Sequence, residues 1–272
     1  MFLGHYKDLS SSEYHDDKTS YSRSTIMEFA KSPFHYWSKY LNPSAPSPKR
    51  KKEWDLGTAF HTMILEPEKF NSQFAPKPPK VLLKDVGRPA YEEYKKCVED
   101  LETTNRIVIS DEDYLDLVGM QRSLESNSQA MELIAGCAVE QSYFWVDEET
   151  DLRVKARPDL IDEMCYIDLK TISDASERAY QNEMVRYGYH VQAAIVRDAI
   201  RVIENREIKL FFNICVEKSY PYCVVIYMID LEAVDYGEQF YKQKLSDISS
   251  CIAHNRWESY QSKIIGLPKW ML

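Results

Sequence analysis

The segment 157-RPDLIDEMCYIDLKT-171 sets Asp159, Asp168 and Lys170 among the apolar residues Leu160, Ile161, Cys165, Ile167 and Leu169. Side chains alternate along a strand, so Asp168 and Lys170 share one face while Ile167 and Leu169 point to the other. Asp159 follows Pro158 on the preceding strand, and a short turn over Asp162 to Met164 would fold it back beside Asp168. Two carboxylates at about 4 Å repel by roughly 4 kcal/mol at an effective dielectric of 20, unless a cation lies between them. Mg²⁺ and Mn²⁺ favour carboxylate, carbonyl and water ligands. Such an ion lowers the pKa of a water and stabilises charge developing on a phosphoryl oxygen, while Lys170 would position the attacking water and offset phosphate charge. The chemistry on offer is phosphodiester hydrolysis. The competing reading is a solvated strand face with a surface ion pair worth about 1 kcal/mol or less.

The flanking sequence must supply the elements that hold these groups. Residues 22-SRSTIMEFAKSPFHYWSKYL-41 predict two short helices, with Thr25 and Glu28 spaced as a capping box and Ser32-Pro33 opening the second. The loop 42-NPSAPSPKRKKE-53 ends in the basic run Lys49, Arg50, Lys51 and Lys52, either a solvated charge run or a phosphate contact. In 54-WDLGTAFHTMILEPEKF-70, Leu56, Phe60, Met63 and Ile64 recur at helical spacing and place His61 in a helix that stops near Pro67. Residues 71 to 90 read as an irregular connection and 91 to 135 as helical, with a capping signal at Ser110 and Asp113.

From 138 onward the period changes. Residues 140 to 162 predict a hairpin about the turn Asp147 to Asp151, and 164 to 171 a third strand. One long helix is expected over 176 to 203, a second hairpin over 208 to 229 turning at Lys218 to Pro221, and a closing helix over about 231 to 255. The expected architecture is a single α/β domain spanning 1–272. Residues 1–135 form its mainly helical N-terminal part, and 136–272 its mixed sheet with flanking helices.

Bulk composition narrows the function classes. A chain of 272 residues with 44% hydrophobic content can bury a sizeable core, and a formal net charge of −9 argues against an extended basic surface. Six cysteines without a CxxC pair indicate neither a disulfide framework nor a zinc site. No GxGxxG or GxxxxGK[ST] motif occurs. No apolar run reaches the length of a membrane span, and the N-terminus lacks signal-peptide character, so a cytoplasmic protein with no membrane partner is expected.

The pattern Pro158-Asp159 followed by Asp168-Leu169-Lys170 resembles the signature of the PD-(D/E)xK nuclease superfamily. Three further features resemble its RecB-like branch: 57-GTAFH-61, with the histidine of a GxxxH motif; Glu140, at the start of the strand before the Pro-Asp strand; and 187-YGYHVQAAIV-196, with Tyr189 and Gln192 on one helical face. Together with 22-SRSTIMEFAKSPFHYW-37 and 57-GTAFHTMILEPEKF-70, these segments follow the order of the RecE (exodeoxyribonuclease VIII) nuclease family.

The resemblance implies a restriction-endonuclease-like fold, with a central mixed β-sheet flanked by helices and an N-terminal helical segment. It implies a Mg²⁺-dependent exonuclease, with Mn²⁺ able to substitute, that degrades double-stranded DNA ends 5′ to 3′ and leaves 3′ tails for single-strand annealing. It further implies a ring-shaped homo-oligomer, trimer or tetramer, and a RecT-type annealing partner. By matching position, His61, Glu140, Asp159, Asp168 and the Leu169 carbonyl would be metal ligands, and Lys170 the water-orienting residue. Tyr189 and Gln192 would orient Lys170 or contact DNA. The iron–sulfur cluster of some relatives requires an N-terminal cysteine; the first here is Cys97, and no cluster is expected. The long N-terminal extension of the family's best-known member is not matched, so the chain would correspond to the nuclease core.

Lys49 to Lys52 and the alternating Arg153, Lys155 and Arg157 are candidates for a DNA-facing surface, the latter three as one stripe. The alternatives are a Cas4-like single-strand exonuclease or endonuclease and a non-catalytic DNA-end binding protein.

Overall fold

The computed structural model describes residues 2–46, 56–80, 83–104 and 106–267. The basic run Lys49 to Lys52 lies outside them. The chain opens with β1 (Gly4–Tyr6) and α1 (Ser11–Asp16), whose N-cap Ser10 exchanges hydrogen bonds with Glu13. Two helices follow as expected, α2 (Arg23–Lys31) and α3 (Pro33–Tyr40). The capping box lies three residues earlier than predicted: the Ser22 amide donates to Thr25 Oγ1 at 2.6 Å. Tyr21 is held extended by amide–carbonyl bonds with Arg153 and Lys155, so the helix can start only after it. Glu28 instead pairs with Lys31 and Lys39.

Pro67 ends α4 (Leu56–Leu65) and occupies the first turn of α5 (Pro67–Gln73), a position that needs no amide hydrogen. The region read as a loop and then as continuous helix contains two short strands. β2 (Phe74–Pro76) and β3 (Ile107–Ile109) pair in parallel, with α6 (Leu83–Glu102), interrupted at Gly87, crossing between them. Three residues are too few to display a period of two. Ser110 caps α7 (Asp111–Glu125) by accepting from the Asp113 amide, and α8 (Ser128–Ile134) completes the helical part.

The remaining elements are β4 (Ala138–Val139), β5 (Ser142–Val146), β6 (Arg153–Ala156), β7 (Leu160–Ile161), β8 (Cys165–Ile172), α9 (Glu177–Tyr187), α10 (Tyr189–Glu204), β9 (Leu210–Glu217), β10 (Val224–Met228) and α11 (Leu231–His254). A five-stranded sheet runs β10-β9-β8-β7-β4, parallel only between β8 and β9. The β5–β6 hairpin does not continue into this sheet as a meander; it joins β1 in a separate three-stranded sheet. The chain leaves one sheet for the other at Glu140, in the left-handed region at φ +53°.

The five-stranded sheet is buried on both faces. Ile167, Leu169, Ile214 and Val216 pack with Phe60, Met63, Leu117 and Met120 of α4 and α7. Tyr166, Ile172, Phe211 and Cys215 belong to the other core, with Ile195, Ala199 and Tyr241 of α10 and α11. This two-sided burial is why the strand segments are apolar almost throughout.

The expected single long helix is broken at Gly188, which adopts φ +70° and starts α10 in a new direction. Where α10 and α11 cross, a Cβ on Gly237 would stand 2.5 Å from the His190 carbonyl oxygen. Gly237→Ala should therefore destabilise the protein by about 1–3 kcal/mol through overpacking. Thermal unfolding checks this: a midpoint lowered by several degrees is expected, and an unchanged or raised midpoint would contradict the close helix crossing.

Candidate active site

The β7–β8 reversal is fixed by Asp162, whose carboxylate accepts from the amides of Met164 and Cys165, each at 2.7 Å. That turn sets Leu160 opposite Ile167 and Ile161 opposite Tyr166, and one step further brings Asp159 opposite Asp168. The neighbouring registers extend the line: β4 leads Glu140 to Asp159, and β9 sets Asn213 beside Asp168. Glu140, Asp159, Asp168 and Asn213 thus form one lateral row across four strands, tied at one end by the Glu140 amide donating to the Asp159 carbonyl at 2.9 Å.

β7 ends before it can pair with Leu169, leaving that edge of β8 open. Asp159 takes up the vacancy: the Leu169 amide donates to its Oδ2 at 2.8 Å. In a strand, one residue's amide and carbonyl face the same neighbour, so the Leu169 carbonyl belongs to this edge too. His61 on α4 brings Nδ1 to 3.4 Å from the same Asp159 oxygen.

Asp168 is only 1% exposed. Gln192 Nε2 donates to its Oδ1 at 3.0 Å, the Lys170 ammonium rests against its Oδ2, and Asn213 Nδ2 lies 3.4 Å from that oxygen. The Asn213 amide is oriented in turn by Tyr180, whose hydroxyl donates to its Oδ1 at 2.9 Å. Lys170 Nζ is 3.3 Å from Gln192 Oε1 and 4.5 Å from the centre of the Tyr189 ring. Gln192 therefore bridges Asp168 and Lys170 with the two ends of one amide, and Tyr189 covers the ammonium with its π face. The helix start after Gly188 places both residues.

The electrostatics separate the two aspartates. Burial, and then the charge of Asp168, push the Asp159 carboxyl well above the usual carboxylate range, with Lys170 opposing only in part. Burial also opposes ionisation of Asp168, but Lys170 outweighs it and holds that carboxyl below its ordinary value. Ionisation is thus easier at Asp168 than at Asp159. Burial likewise raises Glu140, although Arg157 grips its carboxylate.

Of these residues, His61, Glu140, Arg157, Asp159 and Gln192 line a cleft of about 600 Å³, together with Tyr14, Arg23, Glu66 and Lys69, while Asp168 and Lys170 lie behind Asp159 and Gln192 rather than on its lining. Among the described residues, no three His, Cys, Asp or Glu side chains converge as a cage for a metal. The pair Asp159–Asp168, with the open Leu169 edge, instead suits an ion such as Mg²⁺, which takes one or two carboxylates and keeps several waters. His61 and Glu140 flank that pair, one against Asp159 and the other engaged by Arg157.

The expected basic stripe needs correction. Lys155 is 5% exposed and donates to the carbonyls of Tyr14 and Asp17, each at 2.6 Å. Arg157 donates to Glu140, to the Leu9 carbonyl at 2.8 Å and to Ser142 Oγ at 2.6 Å. The N-terminal segment covers the face along which Arg153, Lys155 and Arg157 alternate, so at least Lys155 and Arg157 spend their charge inside the chain. The sequence reading missed Arg23 and Lys69 on the cleft walls, and Asn213. An asparagine within the apolar strand 210-LFFNICVE-217 is the signal that could have flagged Asn213.

No curated protein sequence matches the chain. A crystal structure from Eubacterium rectale, named “Putative exonuclease”, is similar with a TM-score of 0.60 at 13% identity, covering 95% of this chain and 96% of that one. At that identity the likeness establishes the fold, which is the restriction-endonuclease-like arrangement of a mixed sheet flanked by helices. The family model described as “PDDEXK-like domain of unknown function” matches residues 22–264. That span runs from the start of α2 through the Asp159, Asp168 and Lys170 row to the segment beyond α11, and the chain belongs to this PDDEXK-like domain family (DUF3799).

Proposed function

We propose that this protein is a Mg²⁺-dependent deoxyribonuclease that degrades duplex DNA from its ends in the 5′-to-3′ direction. The observation that carries the nuclease reading is Asp159 facing Asp168 across the β7–β8 reversal with Lys170 against Asp168, next to the cleft that Asp159 and Gln192 line. Asp159, Asp168 and the Leu169 carbonyl would hold the ion, which when bound would lower the pKa of a water and stabilise charge on the phosphoryl oxygens. Lys170, fixed by Asp168 and Gln192 and packed under Tyr189, presents a preorganised donor to the water and the phosphate. Gln192 keeps Asp168 and Lys170 in mutual register through the reaction. Arg23 offers positive charge at the cleft, where Lys69 is already paired with Glu66 at 2.9 Å.

Action at ends, its polarity, ring assembly and the RecT-type partner rest on the RecE resemblance. The test uses linear duplexes labelled at the 5′ or the 3′ end, beside a closed circular duplex, all with Mg²⁺. Early release of the 5′ label and an intact circle are expected. Nicking of the circle would favour a Cas4-like endonuclease, and binding of ends without hydrolysis a non-catalytic role.

A further inference from the structure

The structure assigns Arg157 as a positioning residue that fixes Glu140 beside the Asp159–Asp168 pair and clamps the N-terminal segment, as a cleft wall, onto the same site. This inference rests on the metal-site reading of those aspartates. Arg157 stands two residues before Asp159, its side chain is 7% exposed, and its guanidinium reaches three groups from two parts of the chain. Nε pairs with the Glu140 carboxylate, while Nη1 donates to Ser142 Oγ at the start of β5 and to the Leu9 carbonyl before α1. Lys155, two residues earlier, makes a similar contact further along the same segment, through the carbonyls of Tyr14 in α1 and of Asp17 just after it. The Tyr14 ring lies between the two cations, 4.6 Å from Lys155 Nζ and 5.7 Å from the Arg157 guanidinium carbon.

The arrangement matters because of where Glu140 sits. Its backbone is already tied to Asp159 and turned into the left-handed region, so its side-chain direction is the remaining freedom. Arg157 removes that freedom and gives the half-buried carboxylate, 21% exposed, a fixed partner. A planar fork can do this and still serve the Leu9 carbonyl, whereas a lysine ammonium can hold the carboxylate but not all three partners in the same geometry. Arg157 thereby makes the cleft wall and the carboxylate row one mechanical unit. Groups that orient metal-site residues in this way typically matter by about 10- to 100-fold in metal affinity.

The test measures Mn²⁺ binding by calorimetry, and amide exchange of residues 9–17, in the wild type, Arg157→Gln, Arg157→Lys, Glu140→Gln and the double variant Glu140→Gln/Arg157→Gln. Arg157→Gln is expected to weaken Mn²⁺ binding by about 10-fold or more and to speed exchange in the segment. Arg157→Lys should recover most of the affinity while exchange stays fast, because the two duties need different donors. In the Glu140→Gln background, Arg157→Gln should cost no further affinity, which a general loss of packing would not produce. Wild-type affinity in Arg157→Gln, or additive losses in the double variant, would overturn the assignment. Absence of Mn²⁺ binding by the wild type would instead overturn the metal-site reading beneath it.

Discussion

Lys170→Ala is expected to reduce hydrolysis of linear duplex DNA by about 10²–10³-fold, the usual effect of removing one preorganised donor, while leaving metal binding intact or tighter. The two effects have one cause. The ammonium lies against Asp168 Oδ2 and holds that carboxyl below its ordinary pKa, so Lys170 competes with any cation for the same oxygen. Removing it frees Asp168 for the metal yet removes the group that would hold water and phosphate charge. Single-turnover rates with saturating Mg²⁺, measured beside Mn²⁺ affinity by calorimetry, separate these consequences. A variant that loses rate and affinity together would assign Lys170 to the integrity of the site rather than to the chemical step.

Asp159→Asn is expected to make the metal-free protein more stable near pH 7 while abolishing any stabilisation by Mg²⁺. The folded protein raises the Asp159 carboxyl well above its unfolded value, through burial and the neighbouring Asp168. A group with a raised folded pKa binds its proton more tightly in the native state. It costs nothing when both states are protonated, at acid pH, and its cost grows as pH climbs through the unfolded value towards the folded one. Asparagine cannot ionise and can still accept from the Leu169 amide, so it escapes that cost, worth about 1.4 kcal/mol for each unit of raised pKa. The gain in thermal midpoint should therefore be present at neutral pH and shrink towards pH 4. The same proton competes with metal, so Mg²⁺ affinity of the wild type should fall as pH is lowered. A destabilised Asp159→Asn protein at pH 7 would mean that Asp159 is ionised and satisfied without metal.

The placing of Asp159, Asp168 and Lys170 together was legible because it is written locally. Asp159, Asp168 and Lys170 occupy two strands joined by a turn that Asp162 closes, and strand periodicity is enough to place them together. Tyr189 and Gln192 share a helical face, and both reach Lys170 in the structure. Long-range partners left weaker traces. Nothing in the spacing of Arg153, Lys155 and Arg157 says that residues 9–17 fold over them, and an alternating basic strand looks the same whether water or a carbonyl receives its charge. Asn213 is set beside Asp168 by the parallel β8–β9 register, a pairing between segments separated by two helices. β2 and β3 escaped because their pairing likewise spans a helix and each has three residues. The break at Gly188 was hidden by apolar spacing that runs through it, although the glycine itself marked the place.

If Asp159 and Asp168 hold a divalent ion that supports phosphodiester hydrolysis at this cleft, hydrolysis must require both the ion and the carboxylates. The most direct measurement is the release of nucleotides from linear duplex DNA by the purified protein, with Mg²⁺ and with Mg²⁺ plus excess EDTA, beside an Asp168→Asn variant confirmed to be folded. Release by the wild type that requires Mg²⁺, stops with EDTA and is absent in the variant is expected. Release that persists in EDTA, or that survives Asp168→Asn, would contradict that requirement.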